Sequence, residues 1–227
     1  MGNESQNNTI ASVIESTRPL RADAERNRQA ILVAASRVFA EQGSSVTLEH
    51  IADVAGVGIG TVYRRFRTVQ GLLGEVFEGK MARYADVAEQ AAEHAQTDAA
   101  RAFGEFIGYM LRQQAENLAF TDAILLPGLG TDRLRADRTR ALAATRLLVV
   151  RARDAGVIRP DFDESDFYLL QQANAGLLRV SQRSAPNAWK RFGQYMLDAF
   201  RHPGSPLEPP SPAWVRASDA CEPPGMR

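Results

Sequence analysis

Two short apolar patterns separated by closely spaced glycines occupy residues 47–66, TLEHIADVAGVGIGTVYRRF. The first pattern ends at Gly56, where a left-handed turn residue would close a helix. The second begins near Gly58 and carries Val62 and Phe66 at helical spacing. Helices this short are marginal in water, so the pair must pack on longer helices nearby.

Three interpretations fit a glycine-rich helical hairpin. In a phosphate-binding loop the glycines would be spaced G-x-G-x-x-G after a strand, or a G-K-[ST] would follow, and neither is found here. A plain packing hairpin accounts for the apolar residues, but not for an outer face with few bulky or acidic groups. A helix-turn-helix that enters the DNA major groove accounts for both.

The DNA-binding hypothesis rests on what the outer face of the second helix offers. Small residues at its start let the backbone approach base edges, hydroxyl groups can donate, and residues 57–70 hold three arginines and no acid. The net charge of the whole chain is zero, so this positive charge is local. The candidate DNA contacts are Thr47, Glu49, Gly58, Ile59, Gly60, Thr61, Tyr63, Arg64, Arg65 and Arg67.

The rest of the chain predicts an all-α protein. A helix is expected from Asp23 to Gly43, Thr47 and Thr68 are expected to cap the second and fourth helices, and no strand alternation stands out. Further helices are predicted at 99–116, 118–126, 131–155, 164–183 and 187–201.

The segments ILVAASRVFAEQG, VTLEHIADVAGVGIGTVYRRF and TVQGLL resemble the DNA-binding domain of the TetR (tetracycline-repressor) family. The resemblance implies an N-terminal three-helix domain with a helix-turn-helix, followed by a helical domain that binds an effector and forms the dimer. We expect a disordered arm over 1–22, a DNA-binding domain over 23–84, an effector and dimerisation domain over 85–202, and a disordered Pro-rich tail over 203–227.

Family roles carry over where residues match. Thr47 and Tyr63 match hydroxyl groups that contact phosphate, and Thr61 matches a residue near base edges or backbone. Arg65 stands where the family often has histidine. Val69 stands where it commonly has a phosphate-binding lysine, a contact that Arg67, Arg21 or Arg26 could replace.

Glu49 is the ambiguous member of the candidate DNA surface. Its carboxylate could accept a hydrogen bond from cytosine N4, or it could repel phosphate. A solvated position on the helix face is an equally good interpretation of the same residue.

Two apolar stripes near the C-terminus suit a four-helix dimer interface, although they could also pack within one subunit. The predicted dimer residues are Phe167, Leu170, Leu177, Leu178, Trp189, Phe192, Met196 and Phe200. An apolar pocket with a few polar groups is expected for the effector, and plain core packing is the alternative. The candidate pocket residues are Phe103, Phe106, Tyr109, Met110, Arg112, Gln113, Phe120 and Asn174.

Other classes of function have little support. The three histidines are scattered, no nucleophile–base arrangement stands out, and we expect no metal, no cofactor and no enzyme activity. No signal pattern or membrane-length apolar run is found, so a cytoplasmic protein is expected. The sequence therefore predicts a homodimeric repressor that binds an inverted-repeat operator and is released by a small molecule. The competing hypothesis is a helical ligand carrier or enzyme whose helix-turn-helix is incidental.

Overall fold

The computed structural model describes residues 4–125, 130–181, 183–201 and 204–209, without the side chains of residues 4–22, 122 and 125. The described residues contain no strand, as the sequence predicts. Their helices are α1 (Glu4–Gln42), α2 (Leu48–Ala55), α3 (Ile59–Arg65), α4 (Val69–His94), α5 (Ala99–Glu116), α6 (Leu118–Leu125), α7 (Asp132–Asp154), α8 (Glu164–Ser181) and α9 (Ala188–Arg201).

Caps fix the two ends of α2 and the start of α4. The Thr47 side chain accepts a hydrogen bond from the backbone N–H of His50 at the start of α2. Gly56 ends α2 with φ 66°, in the left-handed region that favours glycine. At the start of α4 the Thr68 side chain accepts from the backbone N–H of Gly71 at 3.0 Å. Both predicted threonine caps and the glycine turn are confirmed.

The helix-turn-helix packs mainly on α1, which in turn packs on α4. Ile31 and Phe39 of α1, Ile51 of α2 and Val62 of α3 are fully buried in this small core. Because α2 and α3 have eight and seven residues, this packing rather than intrinsic helix stability holds them in place.

Helix α4 belongs to both halves of the molecule. Leu72 and Phe77 pack in the N-terminal core, whereas Met81 and Tyr84 are buried among the C-terminal helices. The ring of Phe77 lies 6.1 Å from that of Phe39 in α1 and 5.5 Å from that of Phe120 in α6. The predicted boundary at residue 84 therefore falls inside a helix of 26 residues, about 39 Å long.

Helices α5 to α9 build the C-terminal half around α4. Helix α7 pairs with α4 along its length, and Arg140 of α7 forms ion pairs with Asp86 and Glu89 of α4. Helices α5, α8 and α9 close the opposite side, where the ring of Phe106 stacks on that of Phe167 at 5.9 Å. The buried apolar residues of both halves form one continuous cluster.

The structure differs from the sequence prediction at the N-terminus. Residues 4–22 are helical and continue α1, whereas the sequence predicts a disordered arm there. This segment has no glycine and only Pro19 as a helix breaker, so a helix already formed at Asp23–Gln42 can extend through it, with one backbone hydrogen bond lost at the proline. The predicted tail lies largely outside the described residues. No helix in the described part of the chain is both long and apolar enough to cross a bilayer.

Candidate functional site

Helix α3 presents most of the predicted DNA-binding residues at the surface. Ile59 and Tyr63 are 38% and 48% exposed, although large side chains of these types are usually buried. Gly58, Gly60, Arg64, Arg65 and Arg67 are also exposed, and Thr61 is half-buried. Thr47 and Glu49 are exposed at the start of α2. All ten candidates thus lie on α2, on α3 or on the short segments beside these two helices.

The beginning of α3 leaves room for a close neighbour. A Cβ added at Gly58 or at Gly60 would meet no atom within 4 Å. Neither glycine is therefore needed for packing inside the protein, which leaves a smooth backbone surface facing outward. Such a surface can approach base edges closely, as a recognition helix must.

An acidic residue of α4 partly balances the positive charge of this surface. Glu75 of α4 lies 2.9 Å from the Arg28 guanidinium and 3.9 Å from that of Arg65. Because the longer contact is at the limit for an ion pair and the Arg65 side chain is 53% exposed, it holds that side chain only weakly. Among the residues that the structure describes, no acidic side chain forms an ion pair with Arg64 or Arg67, so the outward charge of these two arginines is retained.

Glu49 and Tyr63 form a contact that the sequence does not predict. The Tyr63 hydroxyl donates a hydrogen bond of 2.5 Å to Glu49 Oε1 across the helix-turn-helix. This bond lowers the pKa of the Glu49 carboxyl, with smaller contributions from its own backbone N–H and from the Thr47 side chain. The same bond raises the pKa of Tyr63. Glu49 is thus an ionised carboxylate that binds the hydroxyl predicted to contact phosphate.

Val69 cannot make the phosphate contact expected of a lysine at this position. It is half-buried at the first position of α4 and packs against the apolar core. The neighbouring side chain of Arg67 is exposed just before this helix begins. A phosphate contact here would therefore come from the backbone N–H groups at the start of α4 or from another basic residue, of which Arg67 and Arg26 are exposed.

A cavity of about 60 Å³ lies between α4, α6, α7 and α8. Its volume corresponds to about two water molecules, well below the roughly 300 Å³ that a drug-sized ligand needs. Its lining residues are Met81, Tyr84, Ile124, Arg138, Ala141, Leu142, Thr145, Arg146, Val149, Glu164, Phe167, Tyr168 and Gln171.

The polar side chains that line the cavity already have partners within the subunit. The buried Arg138 guanidinium donates to the carbonyl oxygen of Ala123 at 2.6 and 3.1 Å. Arg146 of α7 pairs with Glu164 at the start of α8, with 2.5 Å between Nε and Oε2. Such a site suits a molecule with an apolar body and a small number of hydrogen-bonding groups.

Tyr84 and Gln171 continue the cavity wall into the core. Gln171 donates a long hydrogen bond of 3.4 Å to the Tyr84 hydroxyl. Its backbone carbonyl accepts from Gln114, which in turn accepts from Asn174. Burial raises the pKa of Tyr84 strongly, so this hydroxyl stays protonated and able to donate.

None of the eight pocket residues expected from sequence lines this cavity. Phe103, Phe106, Met110, Phe120 and Asn174 are buried in the core, Tyr109 and Gln113 are half-buried, and Arg112 is exposed. Four of these are side chains whose stripe on α5 or α6 packs on neighbouring helices. Gln171 and Arg138 were missed because polar residues in charged helices look like surface residues in a sequence.

The predicted dimer residues divide into two groups. Phe167, Leu170 and Leu178 are at most 7% exposed and pack inside the subunit, so they are not available to a partner. Leu177 of α8 is half-buried. Trp189, Phe192, Met196 and Phe200 of α9 are half-buried and pack against the subunit's own core.

The outward face of α8 is apolar as well. Leu169 and Val180 are 50% and 80% exposed, and the small residues Ala173 and Gly176 are exposed between them. These four residues lie at i, i+4, i+7 and i+11, so they form one stripe along the helix. The sequence predicts the interface on the inward stripe, whose residues are larger, because periodicity alone does not tell an inward stripe from a partner-facing one.

The described part of the chain contains no candidate metal-binding site. No group of three or more histidine, cysteine, aspartate or glutamate side chains there could hold a metal ion.

Residues 31–76 match the family model described as "Bacterial regulatory proteins, tetR family". No curated protein sequence matches the chain. Among solved structures, a TetR transcription regulatory protein from Mycobacterium vanbaalenii is 31% identical, with a TM-score of 0.45 over 81% of this chain and all of the other. A TetR transcriptional regulator from Streptomyces coelicolor is 30% identical, with a TM-score of 0.47 over 77% of this chain and 98% of the other. The fatty acid degradation regulator FadR from Bacillus halodurans is 22% identical, with a TM-score of 0.53 over 78% and 97%.

Proposed function

We propose that this protein, which belongs to the tetR family of bacterial regulatory proteins, is a repressor that leaves its DNA operator when a small molecule binds its C-terminal helices. Membership of the family makes the chain a DNA-binding transcriptional regulator. The repressor role, the release by an effector and the residues involved are the proposed part.

The exposed, basic and small-residue face of α3 carries the proposal. Gly58 and Gly60 leave space for base edges, Tyr63 is half-exposed, and Arg64, Arg65 and Arg67 surround them. We assign backbone contacts to Thr47, Tyr63 and the arginines, which would supply most of the affinity. Thr61 and the start of α3 would contact base edges and so set the preferred sequence.

The effector would bind in the cavity between α4, α6, α7 and α8. Since the cavity holds only about two waters in this conformation, a larger ligand has to separate its walls. Met81 and Tyr84 belong to one of those walls and to α4, which packs on the helix α1 that holds the helix-turn-helix. A ligand that displaces α4 would therefore move α3 through α1, which connects the two sites mechanically.

A dimer is part of the proposal because an inverted repeat needs two recognition helices about 34 Å apart. We assign its interface to the exposed apolar stripe Leu169, Ala173, Gly176 and Val180 of α8, with the adjacent surface of α9. Gly176 leaves open space above the helix, so a partner helix can approach it closely.

Selection from a random pool of DNA duplexes tests the proposal. The purified chain would be mixed with the pool, and the retained fragments sequenced. An inverted repeat whose retention falls steeply with salt is expected, since the contacts are mainly to phosphate. A pool that is never enriched, over a range of salt, would contradict a sequence-specific regulator and favour the helical ligand carrier.

The proposed release by a small molecule is tested in a separate experiment. Compounds with an apolar body and one or two hydrogen-bonding groups would be tested for release of the chain from the recovered repeat. A releasing compound should also raise the melting temperature of the DNA-free protein, because a ligand of the native state stabilises it. Release without such stabilisation would mean that the compound acts on the DNA instead.

A further inference from the structure

Glu49 occupies a hydrogen-bond donor that the proposed function assigns to DNA. Its Oε1 accepts the Tyr63 hydroxyl at 2.5 Å. Tyr63 is one of the two hydroxyl groups assigned to phosphate contacts, and the other, Thr47, lies two residues before Glu49 at the start of α2. All three side chains are exposed, so a DNA backbone can reach them.

A carboxylate resembles phosphate in the chemistry that matters here. Both are anionic oxygen acceptors, and both make short hydrogen bonds with hydroxyl donors. The carboxyl of Glu49 is ionised at neutral pH because the Tyr63 bond lowers its pKa. In the DNA-free protein the Tyr63 donor is therefore satisfied by an anion of the protein itself.

We propose that Glu49 is a specificity-determining residue that acts as an internal substitute for DNA phosphate. Any duplex must displace the carboxylate from Tyr63 and place phosphate near its negative charge, which costs affinity on every sequence. Only a duplex that offers a base amino group, such as cytosine N4, gives the released carboxylate a new donor. Binding to random DNA loses all of this free energy, whereas binding to the operator regains part of it through the new hydrogen bond.

This inference rests on the proposed DNA-binding function, but it makes a separate prediction. If Glu49 were only solvated, its removal would not change the ratio of the affinities for operator and random DNA. If Glu49 competes with phosphate for Tyr63, its removal should improve binding to random DNA more than binding to the operator. The ratio of the two affinities is thus the quantity to measure.

The experiment compares full-length Glu49→Ala with Asp53→Ala. Asp53 is exposed one turn further along α2, so its replacement removes the same charge from the same helix without touching Tyr63. Each variant would be titrated on a mixed-sequence duplex of about 30 base pairs, three helical turns, and on the inverted repeat recovered by selection. Thermal melting would check that both variants remain folded.

Glu49→Ala should bind the mixed-sequence duplex about three- to tenfold more tightly and lower the operator-to-random ratio by about tenfold, the discrimination of one good base contact. Asp53→Ala should shift both affinities together and leave the ratio unchanged. An unchanged ratio in Glu49→Ala would overturn the inference while leaving the proposed function intact. Failure of the unmodified chain to retain any duplex would overturn the proposed function and the inference together.

A double-mutant cycle separates competition for Tyr63 from simple charge repulsion. In a Tyr63→Phe background the hydroxyl is absent. Glu49→Ala should therefore increase the affinity for the mixed-sequence duplex clearly less than it does in the unmodified chain. An equal gain in both backgrounds would mean that Glu49 acts on DNA only through its charge, and the proposed role as a phosphate substitute would be rejected.

Discussion

Single residues on α3 divide into two roles that substitutions can separate. Tyr63→Phe removes a hydroxyl that would contact phosphate, so it should weaken binding to operator and to random DNA by a similar factor, about fivefold. Gly60→Ser adds a side chain where no atom lies within 4 Å, so it should leave the fold intact and change which bases are preferred. Fluorescence titrations on both duplexes would measure the first effect and repeated selection the second. Equal losses on both duplexes for both variants would remove the division of roles.

Two arginines of α7 that line the cavity should differ in their effect on stability. Arg138 is 4% exposed and donates twice to the Ala123 carbonyl. Arg138→Met leaves that acceptor unpaired and should lower the free energy of unfolding by about 1–3 kcal/mol. The Arg146–Glu164 pair is more than a third exposed and screened, so Arg146→Met should cost less than about 1 kcal/mol. Urea unfolding would measure the free energy of unfolding of both variants. An equal loss in the two variants would contradict the burial of Arg138.

At this scale the sequence predicts exposed residues better than buried polar ones. The glycines, Tyr63 and the arginines of α3 could be identified because small and basic residues stand out beside an apolar stripe. The Glu49–Tyr63 bond could not, because it joins residues 14 positions apart and depends on the angle between two helices. Arg138 could not either, since α7 holds several arginines and only packing decides which of them is buried.

Two glycines of α4 provide a test at the scale of one helix. A Cβ at Gly74 would lie 2.5 Å from Gly130 Cα, which is backbone and cannot turn aside. Gly74→Ala should therefore lower the free energy of unfolding by about 1–3 kcal/mol, as overpacking does. Gly79, five residues further along, is exposed and has no atom within 4 Å of an added Cβ. Gly79→Ala should instead stabilise the chain by up to about 1 kcal/mol through helix propensity.

Denaturant unfolding of both glycine variants measures this difference. The pair is informative because each variant adds the same methyl group to the same helix. If Gly74→Ala proved as stable as Gly79→Ala, the close approach of α4 to the segment before α7 would be wrong. Binding of Gly74→Ala to DNA would then show whether this approach also holds α4 at the angle that positions α3.

Helices were easier to predict than the faces that they bury. The predicted ranges of α5 to α9 agree with the structure to within two residues, because caps and glycines mark their ends locally. The burial of Phe167 against Phe106 has no such local signal. An apolar stripe specifies that a helix packs, and only the arrangement of all helices specifies against what. For the same reason the boundary between the two halves could not be placed on α4.

At the scale of the whole molecule, the two proposed sites share one framework. The core is continuous from α1 to α8, and the rings of Phe39, Phe77, Phe120 and Tyr84 follow one another at 5.5–6.1 Å from the N-terminal core to the cavity wall. Packed aromatic side chains deform little, so a change in the cavity wall has to be taken up by movement of whole helices. The sequence predicts both halves of the molecule, but this connection depends on contacts between distant residues.

The proposed dimer can be tested by placing a charge on the outward stripe of α8. Leu169 is 50% exposed, so Leu169→Glu should leave the subunit fold nearly unchanged but bury a carboxylate in the partner contact. Analytical ultracentrifugation should show the mass falling from two chains to one, and affinity for the inverted repeat should fall because each subunit binds one half-site alone. Leu147→Glu on α7, where the leucine is 43% exposed, is the matched control and should remain dimeric. A Leu169→Glu variant that stays dimeric would move the interface away from this stripe, and dissociation of both variants would point to a general loss of structure.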